Sequence, residues 1–176
     1  MPAPPITSDP PVHSAQKKLL LPAFTPDAIR RYEPQTRAIC RELLEHIAAR
    51  SSCDGAIDYA QEIPVRVIAA MLGLPPQSGD LFRRWIHEFF ELDITDQNVT
   101  ARAVAEMHAF FAGEIAERRK IPREDLISFL AEARIDGWKL DDEYITGTLR
   151  LLLIAGIDTT WSMIGSCLWH LANHPD

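Results

Sequence analysis

One acid and two adjacent hydroxyls, Asp158-Thr159-Thr160, follow Ala155-Gly156-Ile157 in an otherwise apolar stretch, and they are the residues here best suited to proton chemistry. A carboxylate in such a setting is expensive to bury unless it is paired, hydrated or kept for proton transfer, which makes Asp158 a candidate functional acid. Gly156 inside a helix costs roughly 1 kcal/mol against alanine, so it too demands a reason. Close helix packing at the glycine, with threonine bonding back to the backbone, would explain the same hexapeptide; alone it does not decide. A second pair lies near the start. His13 and Lys17 stand four apart, so both project from one helix face and suit an anion such as a carboxylate, although a solvated basic face is the plainer alternative.

These residues need long helices to position them. Asp141, Asp142 and Glu143 form an acidic first turn before Leu149, Leu151, Leu152, Leu153 and Ile154, which predicts a helix from about Asp142 to Ala172. Around His13 the chain reads as an extended Pro10-Pro11 entry, a short basic helix, and a new helix start at Thr25-Pro26. From there Ile29, Ile39, Leu43 and Ile47 outline one amphipathic helix ending near Ser51-Ser52-Cys53-Asp54-Gly55. Ala56–Tyr59 is assigned a short strand. A helix through Ile63, Val67 and Met71 then stops at Gly73 and Pro75-Pro76. Aromatic-rich helices follow, through Leu81–Phe90 and, after a polar break, Val104–Ile115. Arg118-Arg119-Lys120 reads as a solvated basic helix end. Leu126–Leu130 forms a short helix, and Asp136-Gly137 a turn. His87 and His108 lack paired ligand spacing and are assigned no chemistry.

Together the two candidate segments resemble the cytochrome P450 family, the heme-thiolate monooxygenases, at the helices conventionally called C and I. The phrases Ile63–Pro75, Asp125–Leu130 and His174-Pro175-Asp176 fit the bacterial members in order and spacing. The resemblance implies an all-α partial fold running from helix C to helix I, with the aromatic helices as F and G, the roof of a substrate pocket. It implies heme b, an organic small-molecule substrate, and a redox partner, either a ferredoxin or a reductase. Thr159 matches the oxygen-handling alcohol and Asp158 the acid that delivers protons. Ala155 and Gly156 match small residues beside the bound oxygen, while His13 and Lys17 match positions that hold heme propionates.

The departures shape a further expectation. No Glu is followed three residues later by Arg, and Cys40, Cys53 and Cys167 lie outside the loop pattern that presents an axial thiolate, so no metal ligand is assigned. Residues 1–176 therefore read as one incomplete domain, the middle of such an enzyme, inactive when isolated. One part of a split enzyme, or a non-enzymatic α-helical binding protein, are the alternatives. Missing elements should leave an apolar groove along Ile63–Met71 and Leu151–Leu168, through which the chain self-associates.

Composition narrows the partners. With 176 residues, 47% of them apolar, the chain has enough material for a core, and a formal charge of -7 with no basic stripe argues against nucleic acid. Three irregularly spaced cysteines suggest reduced thiols. No apolar signal segment is visible near Met1, and the continuous apolar run ends at Asp158, well short of the roughly 20 residues that span a bilayer. The expectation is a cytoplasmic protein with no membrane span.

Overall fold

The computed structural model describes residues 2–90 and 97–174. Within them three of the helices begin where a side chain turns back onto the backbone. Thr25 accepts from the Ala28 N–H at 3.3 Å, Asp125 from Ser128 at 2.7 Å and Asp141 from Tyr144 at 2.7 Å, satisfying N–H groups that have no partner inside the helix. The elements are α1 (Val12–Leu20), a 3-10 turn (Leu21–Phe24), α2 (Pro26–Arg30), α3 (Glu33–Ala48), a π-helical turn (Gly55–Ala60), α4 (Glu62–Met71), α5 (Ser78–Phe90), α6 (Gln97–Lys120) and α7 (Leu126–Glu132). A two-stranded antiparallel ladder follows, β1 (Arg134–Ile135) on β2 (Trp138–Lys139), and α8 (Asp142–Asn173) closes the series. The polar break between the aromatic helices, Met1, and the closing Pro175-Asp176 lie outside the described residues.

Two local expectations are corrected. The strand assigned to Ala56–Tyr59 is a π-helical turn: Asp54 accepts from the Ala56 and Ile57 N–H groups, Asp58 accepts from the Asp54 N–H at 2.8 Å, and Gln61 bonds the Ala56 carbonyl. An Asp-Gly pair here caps a helical turn instead of ending one. The single helix after Thr25 is two, because α2 ends at Arg30 and Pro34, which has no N–H to donate, sits in the first turn of α3. The Asp136-Gly137 turn does more than reverse the chain. Both residues adopt positive φ, 50° and 84°, the hairpin geometry that lets Arg134 pair with Lys139 and Ile135 with Trp138.

Packing gathers α4, α5, α6, α7 and α8 around one main core. Phe82, Trp85, Met107, Phe111, Leu149 and Leu153 are buried there, and Trp85 stands 5.9 Å from Phe82 and 5.6 Å from Phe110 between ring centroids. A smaller cluster of Ile39, Leu43 and Ile63 joins α3 to α4. The groove expected along Ile63–Met71 is largely closed, with Ile63, Pro64, Val65, Ala69 and Met71 buried. The other half, Leu151–Leu168 of α8, stays largely uncovered, with only Leu153 and Ile157 buried and Met163 65% exposed, and just beyond it Trp169 (68%) and Leu171 (64%) are exposed too.

That helix is also longer and more apolar than the continuous apolar run alone suggests. By length and composition α8 could cross a bilayer, since an 18-residue window within it has a mean hydropathy of 1.5 with 11% of the window buried. The contiguous apolar run is short, yet glycine, serine and threonine lower hydropathy far less than charges would. Its first half nonetheless carries core residues, from Ile145 to Leu153 and Ile157.

Candidate functional site

Four of the predicted site residues lie on consecutive turns of α8, and helix geometry sorts them by face. Ala155 and Thr159 are one helical step of four apart and both are exposed. The Thr159 hydroxyl donates to the Ala155 carbonyl at 2.7 Å. With its proton so committed, Oγ1 keeps acceptor capacity on an open helix face. Asp158, beside it, is half-buried and has no ion-pair partner among the described residues. Gly156 points elsewhere. A Cβ built on it would lie 3.1 Å from Ile68 Cδ1 of α4, so its small size serves close packing of α4 on α8. Next to that contact, Ala155, Gly156 and Leu152 line an apolar cavity of about 270 Å³ with Ile68, Met71 and Phe24.

His13 and Lys17 lie one helical step of four apart on α1, with His13 half-buried and Lys17 exposed. No hydrogen bond or ion pair among the described residues joins either of them to residues 155–159. Gln16 of α1 and Tyr144 near the start of α8 instead help line a cavity of about 530 Å³ beside the hairpin. Burial raises the Tyr144 phenol pKa and lowers that of the Arg150 guanidinium. Arg150 donates to the Pro2 carbonyl at 2.8 Å, and a side chain at Gly147 would meet the same oxygen at 2.5 Å. The N-terminal segment thus lies against the buried flank of α8.

The order of these helices, with a hydroxyl bonded to the fourth carbonyl before it in the longest one, can be compared with known proteins. The sequence profile described as Cytochrome P450 matches residues 66–176. The chain belongs to the cytochrome P450 family. It is 32% identical over 178 residues to the putative cytochrome P450 YjiB of Bacillus subtilis, covering 97% of this chain and 45% of that one. It is 36% identical over 173 residues to the erythromycin C-12 hydroxylase of Saccharopolyspora erythraea, covering 95% of this chain and 43% of the relative. A solved mutant of P450 EryK in complex with erythromycin B superposes with a TM-score of 0.88 at 34% identity, over 99% of this chain and 46% of that one. The chain spans less than half the length of these cytochrome P450 relatives.

Heme is the cofactor the family implies, and the residues present fit part of its surroundings. Ala155 and Thr159 leave one face of α8 open and small, and α1 presents a cation and an imidazole. An axial thiolate has no counterpart. Cys40 is half-buried on α3, while Cys53 precedes the π-helical turn and Cys167 is exposed on α8. Among the described residues no group of three or more His, Cys, Asp or Glu side chains is placed to hold a metal. What sequence reasoning missed is the Ile68 contact at Gly156; the only signal for it was the packing role of a helical glycine.

Proposed function

We propose that this chain supplies the oxygen-side wall and the proton-handling pair of a heme-dependent monooxygenase that acts on an organic small molecule with electrons from a ferredoxin or reductase. The observation that carries the reading is the Thr159 hydroxyl bonded to Ala155 on the open face of α8, in a chain of this family. When bound, heme supplies the reductive activation of dioxygen and the transfer of one oxygen atom to substrate. Thr159 Oγ1, its own proton donated to the Ala155 carbonyl, would accept a hydrogen bond from ordered water on the open face of α8. Asp158, half-buried beside it, passes protons between that water and bulk solvent. His13 and Lys17 hold the propionates. Lys17 does so as a single point charge, without the planar fork an arginine would bring. Gly156 acts through packing, by letting α4 approach α8.

The core residues in the first half of α8, and the superposition of nearly the whole chain on solved relatives, support a core helix and a cytoplasmic enzyme without a membrane span. The test restores a complete chain by fusing the remaining segments from a close relative. Thr159→Val is expected to retain heme while the share of consumed oxygen released as hydrogen peroxide rises several-fold. Asp158→Asn is expected to slow turnover roughly 100-fold, the lower end of what a positioned proton-transfer group contributes. Unchanged coupling and rate in both variants would assign this stretch to packing alone. On its own the 176-residue chain is expected to self-associate through Met163, Trp169 and Leu171. Light scattering should report species above monomer mass that Trp169→Asp shifts back toward monomer; a wild-type monomer would remove the idea.

A further inference from the structure

The hairpin between α7 and α8 takes no part in the proposed oxygen chemistry, yet its tip carries a reactive pair of its own. Asp136 and Gly137 are both exposed there, and Asp136 holds a φ of 50°, in the left-handed region that residues with a side chain seldom occupy. Nothing lies within 4 Å of the place a Gly137 Cβ would take, so the glycine amide is open to approach. Among the described residues neither the Asp136 carboxylate nor the Gly137 N–H has a hydrogen-bond or ion-pair partner. The second Asp-Gly pair of the chain, Asp54-Gly55, is held differently. Asp54 Oδ1 accepts from the Ala56 N–H at 2.9 Å and from the Ile57 N–H at 3.1 Å, and a Cβ on Gly55 would lie 3.5 Å from Leu168 Cδ1. That carboxylate must give up two charge-assisted bonds before its Cγ can swing toward the Gly55 nitrogen.

We propose that Asp136-Gly137 is a site of spontaneous backbone isomerisation, through a five-membered succinimide, to a β-linked isoaspartyl peptide that opens the hairpin, and that the turn at Asp54-Gly55 protects the other pair. The Gly137 nitrogen, unhindered because its own residue has no Cβ, bonds to Asp136 Cγ. One carboxyl oxygen leaves as water, taking the amide proton and the carboxyl proton. Water then adds to one of the two ring carbonyls. Opening at the Asp136 main-chain carbonyl breaks its bond to the Gly137 nitrogen and leaves the chain running through Cβ and Cγ. The water lost is returned, the mass is unchanged, and no oxidant or reductant is consumed. The main chain gains one methylene inside the loop that pairs Ile135 with Trp138, a length that a tight hairpin turn cannot absorb. Ile135, Asp136, Trp138 and Lys139 also line the cavity shared with Gln16 and Tyr144, so the change reaches that cavity as well.

The experiment holds the full chain for several weeks at mildly acidic pH, with a parallel sample unfolded in guanidinium chloride. Both are digested, and isoaspartate is located by electron-transfer mass spectrometry of the peptides. In the folded chain isoaspartate at position 136 should exceed that at position 54 at least tenfold, because only the second carboxylate is tied down. In guanidinium chloride the two positions should accumulate it alike. The separated isoaspartyl form supplies a second readout. Its Leu140 N–H, which donates to the Ala133 carbonyl at 3.4 Å beside the ladder, should exchange with solvent at least tenfold faster than in the unmodified chain. Folded chain that forms no isoaspartate at 136, or no more there than at 54, would overturn the proposal. So would a difference between the two positions that persists in guanidinium chloride, or an isoaspartyl form with unchanged Leu140 exchange. None of these readouts depends on heme or on turnover, so they fail or succeed independently of the oxygenase reading.

Discussion

Arg118→Ala should lower the stability of the chain by about 3–5 kcal/mol, the range found when one partner of a buried ion pair is removed. The Arg118 side chain has no solvent exposure, and Asp125 is only 3% exposed. Its guanidinium donates from Nε to Asp125 at 2.8 Å, from Nη1 to Glu114 at 2.6 Å and from Nη2 to the Gly73 carbonyl at 3.0 Å. Those acceptors belong to the start of α7, to α6 itself and to the turn after α4, so one planar fork fastens three elements. Gly73 belongs to the arrangement as well: its φ is +64°, and a Cβ there would come within 2.6 Å of the Asp125 Cβ. Truncation leaves a buried carboxylate with its cation gone and a carbonyl with its donor gone. Arg118→Lys should recover only part of the loss, because an ammonium cannot reproduce the fork. Urea unfolding measures both variants, and a loss below about 1 kcal/mol for the alanine would refute the assignment, since surface pairs lie in that range.

Trp85→Ala is expected to cost about 3–5 kcal/mol by a different route, the loss of a large aromatic from a packed core. Trp85 is 1% exposed and contacts Phe82, Phe110 and Phe111, which ties α5 to α6. Its indole N–H donates to Glu106 at 3.1 Å. The Arg84 guanidinium, followed by this N–H, lowers the Glu106 pKa, but that carboxylate sits in solvent and the bond adds little to stability. Trp85→Phe should therefore retain most of what alanine loses. Thermal unfolding followed by circular dichroism separates the two variants; equal losses would move the weight from ring packing to the hydrogen bond.

Most of this helical order is legible in the sequence because its signals are local. Asp141 caps α8, the acidic turn follows, and the predicted span of Asp142 to Ala172 differs from the observed helix by one residue. Thr25-Pro26 marks α2 for the same reason. The readings that failed depend on partners distant in sequence. Arg118 looks like a solvated helix end until α7 and the turn after α4 close over it. Ile63–Met71 seems in need of absent neighbours until α3, α5 and α8 cover it. The break before α3 was visible in Pro34 but masked by continuous apolar periodicity across Ile29 and Ile39. For the candidate site, the i, i+4 relation of Ala155 and Thr159 and of His13 and Lys17 follows from helix geometry. The turning of Gly156 toward Ile68 does not, because it requires knowing which neighbour α8 meets.

The hydrogen bond from Arg150 to the Pro2 carbonyl also sets a timetable for synthesis. The two residues are separated by 148 positions. At ribosomal speeds of about 5–20 residues per second, the proline-rich segment waits roughly 7–30 s before its partner on α8 has even been made. During that interval α1 to α7 emerge and can pack with one another, while the flank that will cover Gly147 has nowhere to dock. Closure of this clasp must come after them. A nascent chain halted before residue 150 should therefore leave residues 2–5 open to proteolysis, and release past that point should protect them.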